Sequence, residues 1–460
     1  MSAIESVTAP RVMIAGTNSG CGKTTAVCAV LKALVNRGLS VSAFKCGPDY
    51  IDPMFHEKIV GTPSTNLDLV LTGEKAVRYL FARNADRSAG KTAGKTAGIS
   101  ILEGVMGFYD GMSPENEYAS SAHLSNLLQT PVILTVNARA ASLSVAAVVK
   151  GFREFAPNRI AGVILNHCPA KIFAPLQRVI KHKTGVSVLG YLPQLPEARV
   201  EERHLGLVTA GEIDRLKEKV EILAQAAEEC IDLDALIALS RTAPPLVYED
   251  IAFAPEERAN GQTIAVARDK AFCFYYHDNF SLFEQLGASI QFFSPLADEP
   301  VPSGAAGLIL GGGYPELYAE ALGRNHKTLA SVREAVLDHL PTIAECGGFM
   351  FLQETLCGHA MAGVIPGGTV MTRKLGPFGY VRLTARKDNL LCEKGESINA
   401  HEFHYSTCEN PGADFTAEKL STGETYPCVH AHDSLFAGYP HMHFRGSTNF
   451  ALRFVRRLKG

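Results

Sequence analysis

The chain of 460 residues has no dense run of lysine and arginine: 44 basic against 47 acidic residues leave a formal net charge of −3. Without a basic patch there is no electrostatic footprint for DNA or RNA, which argues against nucleic acid as the main partner. The opening MSAIESVTAP lacks the apolar core of a secretory signal, so no such signal is expected. A membrane-length apolar run is missing too. The least polar window, 131–150, is broken by Asn137, Arg139 and Lys150 and reads as strand, turn and helix. Eleven cysteines are scattered with no C-x-x-C pair and no metal-ligand rhythm. That argues against a disulfide framework and for reduced, mostly buried thiols in a cytoplasmic enzyme. What remains is a globular composition, 46% apolar and 20% charged, enough for two domains each to bury a core.

The most informative stretch stands at the front. Arg11 to Thr25 reads RVMIAGTNSGCGKTT: an apolar run at 12–15, a turn through Gly16, Gly20 and Gly22, then Lys23-Thr24-Thr25 and a helix-compatible segment over 26–34. Strand, glycine-rich turn, Lys-Thr and helix is the layout that cradles nucleotide phosphates. Glycines let backbone N–H groups approach phosphate oxygens, and the helix N-terminus adds partial positive charge. The Lys23 ammonium neutralises, and the Thr24 hydroxyl can reach a magnesium ion. Thr17, Asn18, Ser19, Cys21 and Thr25 complete the expected ATP-binding loop. The spacing departs from G-x-x-x-x-G-K-T at one place, where Thr17 takes the first glycine position and Gly16 precedes it.

Apolar runs suited to buried parallel strands recur at 12–15, 41–44, 99–102, 132–136, 162–165 and 186–189, separated by helical patterns. That alternation predicts a doubly wound α/β sheet, whose ligands sit beyond the carboxyl ends of the strands. After the second run comes an irregular loop carrying Lys45, Asp49 and Asp52. It reads either as a polar turn with an Asx-type cap or as the holder of magnesium and a second anionic group. After the third comes Glu103, at the end of a buried strand facing the phosphate loop and placed to bind Mg²⁺ directly or through water. Thr24, Asp49 and Glu103 are therefore the expected metal ligands, with Lys45 beside the nucleotide. Asn166, ending the fifth run, suits a strand-end cap or an adenine edge. Residues 88–98, SAGKTAGKTAG, imitate a phosphate loop but follow no strand, and read as a solvated insertion. Arg199, Arg203 and His204 are candidates for gripping a polyanionic substrate, and 212–229 reads as an amphipathic packing helix.

The stretch 241–262, with Pro244-Pro245, Pro255 and unpatterned charge, reads as a linker between domains at 1–240 and 263–460. The second half has strands at 264–267, 289–293, 307–310 and 342–344. The third runs into Gly311-Gly312-Gly313, the fourth into Glu345-Cys346-Gly347-Gly348, followed by helix-compatible residues 351–356. A cysteine between a buried strand and a helix resembles a nucleophile elbow, where helix-terminus charge favours the thiolate. Backbone N–H groups of Gly312, Gly313 and Gly347 are the candidate oxyanion hole. The base is sought among His441 and His443, with His401 and His404 in competition. The same pairs could hold zinc, but no Cys or Asp sits at suitable spacing. Cysteine amidase chemistry is the expectation.

Taken in order, GTNSGCGKTT, KCGPDYIDP, LEGVMGFYDG, RHLGLV, FYYHDN, LGGGYPE, AECGGFM, HEFHYS and the closing Tyr439-x-His441-x-His443 resemble the cobyrinic acid a,c-diamide synthase family, over nearly the whole chain. The resemblance implies an α/β protein with an N-terminal P-loop domain similar to dethiobiotin synthetase and a C-terminal class I-like glutamine amidotransferase domain. It implies ATP- and glutamine-dependent amidation of the a and c acetates of a corrin precursor, cobyrinic acid, in cobalamin biosynthesis, with ATP and Mg²⁺ as cofactors. It further implies Cys346 as nucleophile, His441 as its base, and Asp49, Asp52, Glu103 and Asp110 around Mg²⁺ and the substrate carboxylate. Because ammonia at neutral pH is mostly unreactive ammonium, an enclosed route between the domains is expected. Two departures stand out. Asn137 occupies a position where the family commonly has Asp. His443 stands where other class I glutaminases carry the glutamate of the triad, which leaves that third member unassigned. Two alternatives stay open: diamidation of a nickel sirohydrochlorin, and a P-loop switch ATPase. The sequence leaves oligomeric state open, a homodimer included.

Overall fold

The computed structural model describes residues 3–61, 63–90, 98–198, 216–254 and 258–458, and the chain divides into two compact units. The first runs to Ile251 apart from 70–72, and the second starts at Ala252. Arg199, Arg203, His204 and most of the 88–98 insertion lie outside the described residues; 88–90 close a helix over Leu69–Gly90. The packing helix is described over Leu216–Cys230. Among the described residues no helix is long and apolar enough to cross a membrane.

The first unit begins with β1 (Ile4–Val7) and β2 (Arg11–Gly16), followed by α1 (Lys23–Asn36), β3 (Val41–Cys46) and α2 (Ile51–Val60). Five strands follow: β4 (Thr65–Leu67), β5 (Ile99–Glu103), β6 (Val132–Asn137), β7 (Ile160–Asn166) and β8 (Ser187–Leu192). They form a seven-stranded sheet in the order β4-β3-β5-β2-β6-β7-β8, with every neighbouring pair parallel. Near-continuous apolar strands make sense here, because helices cover both faces and all of β2 and β5 is buried. From β2 the chain moves to β3 on one side, and from β5 it passes β2 to β6 on the other, so the switch point lies at the carboxyl ends of β5, β2 and β6. Three strands escape sequence reading: β1 and the two that follow here. The three-residue β4 is too short for a periodic signal. Leu246–Glu249, read as linker, is a strand, β9, paired antiparallel with β1.

The second unit is built on a six-stranded sheet. Its order is Ser289–Phe293, Thr263–Ala267, Ala305–Leu310, Thr342–Glu345, Leu435–Gly438 and His430–His432, parallel except for the last pair. The helix after Cys346 covers only Gly347–Leu352, and Gln353–Leu356 is a strand rather than its continuation. The reason is a competing partner: Gln353 pairs with Ile365, and its buried Oε1 accepts from the Thr369 hydroxyl at 2.6 Å. A five-stranded antiparallel sheet, drawn from 378–442, ends on the two-residue strand His441–Met442. Crossing at Tyr439-Pro440, the chain thus leaves the central sheet and enters this one.

Arg11 is fully buried in the first unit and spends its guanidinium on three carbonyls: Leu128 (2.9 Å), Ala9 (3.0 Å) and Pro244 (2.7 Å). Arg11→Met should fill the space yet leave Ala9 O and Pro244 O without this donor and Leu128 O with the Thr130 hydroxyl alone, at 3.3 Å. The expected loss is about 3 kcal/mol, since each orphaned group costs about 1 kcal/mol or more, read as a lower urea midpoint.

Candidate active sites

The phosphate loop joins β2 to α1. Gly20 and Gly22 adopt left-handed backbones (φ 75° and 93°). A Cβ on Gly22 would meet Asn166 Nδ2 at 1.8 Å, and one on Gly16 would meet Cys21 Sγ at 2.3 Å. Asn166, buried at the end of β7, donates to Cys21 O at 3.0 Å, so it braces the loop from behind. Lys23 Nζ is held inside the loop by Asn18 O (3.2 Å) and Met106 O (2.5 Å). Burial lowers its pKa, so an ammonium here gains from an arriving anion. Asn18, Ser19 and Gly20 are exposed, and Thr24 and Thr25 half-buried at the start of α1. Thr17 needs no glycine: its N–H is bonded to Thr135 O at 3.2 Å, and the close approach falls to Gly16.

Next to the loop lies a buried charge cluster. Lys45 Nζ contacts Asp52 Oδ2 at 2.5 Å, Glu103 Oε1 at 3.3 Å and Gly104 O at 3.3 Å. Glu103 Oε1 also accepts from the Thr24 hydroxyl at 2.7 Å, which ties the cluster to the phosphate loop. Its Oε2 lies 2.7 Å from His56 Nε2, and His56 Nδ1 lies 3.1 Å from Ser64 Oγ. Sequence reasoning missed His56, which stands on α2 with no flanking motif that separates it from an ordinary core histidine. Burial opposes charge on Asp52, but the Lys45 ammonium holds it well below the usual carboxylate range. Desolvation and the adjacent Asp52 push Asp49 up to about 7, although Asp49 Oδ1 accepts the Ile51 N–H at 2.9 Å. Asp110 is exposed and accepts the Gly107 N–H at 2.9 Å, closing its own turn. Asn137 likewise accepts the Arg139 N–H at 3.0 Å, a bond that Asp would make equally well. Among the described residues no group of three or more His, Cys, Asp and Glu is arranged to hold a metal ion. A magnesium ion bound at Thr24, Glu103 and Asp49 would therefore draw further ligands from phosphates and water.

In the second unit Cys346 follows the strand Thr342–Glu345 with φ 47° and ψ −102°, the sharp backbone of an elbow. Its N–H is fixed by Gly438 O (2.8 Å) and its carbonyl by Met350 N (2.9 Å). His441 is buried and hydrogen-bonded to Cys346. Burial works against its charge, but the Cys346 sulfur and Glu345 raise its pKa to about 10. A Cβ on Gly312 would meet His441 Cε1 at 2.4 Å, so only glycine lets the ring sit there. Gly347 lies against Pro315 and within reach of Gly313 N, which brings the three candidate oxyanion glycines into the corner of Cys346 and His441. Gly311, by contrast, has given its N–H to Tyr275 Oη at 2.9 Å.

The competing histidines lie near His441 and are held neutral by burial. His401 pairs with His441 across the two strands, and burial followed by the His441 charge lowers its pKa to about 3. His404 stacks on Tyr439 (centroids 3.8 Å apart, 3° between planes), with Nδ1 at 3.0 Å from Ser406 O. Asn279, unassigned from sequence, clamps the stretch after the base: its Nδ2 donates to Met442 O and its Oδ1 accepts from Phe444 N–H, both at 2.9 Å.

Fold and sites together define a class: a P-loop nucleotide-binding unit joined to a glutamine amidotransferase unit with a Cys–His pair. Residues 12–208 match the model of the CobQ/CobB/MinD/ParA nucleotide binding domain, and 263–449 that of the CobB/CobQ-like glutamine amidotransferase domain. The chain is 38% identical to the cobyrinate a,c-diamide synthase of Clostridium tetani, covering 95% of this chain and 98% of that one. It is 39% identical to the one of Listeria monocytogenes (94% and 96%) and 38% identical to the one of Priestia megaterium (98% and 97%). The chain belongs to the cobyrinate a,c-diamide synthase family.

Gly22→Ala should abolish nucleotide binding, because the new methyl group both strains a left-handed backbone and displaces the Asn166 brace. Gly20→Ala, with open space around it, should weaken binding by no more than about tenfold, the cost of strain alone. Titration with a fluorescent ATP analogue separates the two.

Proposed function

We propose that the chain amidates the a and c acetate side chains of cobyrinic acid, using ATP to activate each carboxylate and glutamine to supply nitrogen. The observation that carries this reading is the Cys346–His441 elbow in the same chain as a braced phosphate loop, in a protein alike over nearly its whole length to cobyrinate a,c-diamide synthases. A P-loop switch ATPase would have no use for the elbow.

A carboxylate resists ammonia because oxide is a hopeless leaving group. Bound Mg·ATP supplies the γ-phosphoryl group that turns it into an acyl phosphate. The donor set suits that ligand: glycine backbone without side-chain obstruction, a buried ammonium at Lys23, and a hydroxyl–carboxylate pair at Thr24 and Glu103. Lys23 neutralises the phosphate chain, Thr24, Asp49 and Glu103 would hold Mg²⁺, and Lys45 and Asp52 keep the edge in register for in-line transfer. Asp110 shapes the adjoining turn through the Gly107 N–H and would face the substrate carboxylate with the rest of its exposed side chain.

In the other unit Cys346 passes its proton to His441, and the sulfur attacks the carboxamide carbon of glutamine. The oxyanion that forms is met by backbone N–H groups of the Gly312, Gly313 and Gly347 corner. Collapse expels ammonia, which takes the proton from His441 and leaves a γ-glutamyl thioester. Water, deprotonated by His441, releases glutamate. Ammonia then attacks the acyl phosphate and phosphate departs.

Cys346→Ser should abolish glutamine-dependent amidation and leave ammonia-dependent amidation within about twofold of wild type. Loss of both contradicts this division of labour. Offering cobyrinate and nickel sirohydrochlorin separately, with product mass as readout, tests the substrate: turnover of only the nickel compound overturns the corrin assignment.

A further inference from the structure

Class I glutaminases orient the catalytic histidine with a glutamate two residues later, and here that position is His443. Its ring faces elsewhere. His443 Nδ1 accepts from the Arg445 N–H at 3.4 Å, capping the turn Phe444–Gly446, and the ring stacks on Tyr276 with centroids 4.9 Å apart. Burial, then Arg445, pushes its pKa down to about 3, so it brings no charge to the base.

A carboxylate does reach His441, from the other side of the nucleophile. Glu345, the residue before Cys346, has Oε2 3.8 Å from His441 Nδ1, within ion-pair range. Its Oε1 accepts the Met442 N–H at 3.0 Å. One carboxylate therefore grips the backbone next to the base and faces the base's ring. We propose that Glu345 is the positioning residue of the Cys346–His441 pair, filling the vacant third place of the triad. This rests on the glutaminase reading above.

Other titratable groups around His441 do not supply the same charge. His401 and His404 are kept neutral by burial, at about 3 and about 4. Burial pushes Glu402 up to about 7, and its Oε2 is taken by the Tyr426 hydroxyl. Cys346 is the proton donor itself. Glu345 thus opposes the imidazolium that forms when the thiol gives up its proton, and it fixes the ring's orientation until ammonia takes that proton away. A catalytic contact at 3.8 Å is longer than a hydrogen bond, a looseness common before substrate closes the site.

Glu345→Gln tests this on the full chain, because the amide oxygen still accepts the Met442 N–H while the charge is gone. Glutaminase kcat should fall on the order of tenfold to a hundredfold, with KM changed less than about threefold. Removing the carboxylate lowers the His441 pKa, so the alkaline limb of kcat/KM should move to lower pH. Glu345→Asp should recover part of kcat and shift the limb less. Wild-type kcat and an unmoved limb in Glu345→Gln overturn the proposal. So does equal loss in both variants without any shift of the limb, which is the mark of a purely structural role. Should Glu345→Gln lose the wild-type circular dichroism, Glu345→Asp carries the test, and a wild-type kcat and limb there overturn the assignment. A wild-type protein without glutaminase activity fails the underlying reading, and the assignment with it.

Discussion

The edge where the first unit's strands end is held together by one buried ammonium, that of Lys45. Parallel register sets Lys45 beside Glu103 and Glu103 beside Ile14, so strand pairing alone delivers the acid to the mouth of the phosphate loop. A lysine with 5% of its side chain exposed has lost nearly all its water. Asp52, Glu103 and the Gly104 carbonyl replace that hydration, and removing either acid would strand a charge in low dielectric. The same ammonium sets the balance of the whole edge. Shared between two carboxylates, it has little to spare for Asp49, which holds its proton up to about 7. Under the proposed function, a divalent cation held with the nucleotide would add positive charge at this edge, beside the ammoniums of Lys23 and Lys45.

The second unit answers a different constraint, a strained backbone at the reactive residue. A left-handed cysteine costs about 1–3 kcal/mol and persists only where its surroundings fix it. Here Gly438 O and Met350 N hold both sides of the Cys346 peptide units. Packing then decides who can approach. Gly348 would drive a Cβ to within 2.0 Å of Leu310 O, and Gly312 would drive one into the base, so the elbow tolerates no side chains at these places. Rigidity of this kind presents the thiol and the imidazole to each other before substrate binds, which lowers the cost of reaching the transition state.

Much of this was legible because buried parallel strands announce themselves as apolar runs, and because glycines at a strand end leave few readings. Cys346, Lys23 and the strand-end acids could be named from those patterns. Residues with no chemical signal of their own could not, Asn279 included although it closes FYYHDN. His56 and Asn279 sit on helix or helix-start positions where a polar side chain is usually solvated or structural, and only the fold shows what they reach. The two smaller sheets over 353–442, one mixed and one antiparallel, were also invisible. No strand is read from the sequence between 353 and 442, and Gln353 to Leu356 has enough helix-compatible composition to read as a continuation of the preceding helix. Pairing with the strand Ile365–Met371 overrode local preference there. Asp110, named from its motif, is exposed, and one of its oxygens accepts the Gly107 N–H.

Glu345 escaped for a reason that bears on how such sites are built. In an uninterrupted strand, neighbouring side chains point to opposite faces, so an acid beside the nucleophile would be expected to look away from the base. The positive φ of Cys346 breaks that alternation at the last residue of the strand. Both side chains then come to the same imidazole, the sulfur from the elbow and the carboxylate from the strand end. His441 in turn comes in on a strand of another sheet, carried there by the crossing at Tyr439-Pro440. The role of the third triad member thus follows from backbone geometry and not from distance along the chain. With the carboxylate on the nucleophile's strand, the position two residues after the base is released, and His443 is free to cap a turn and pack against Tyr276.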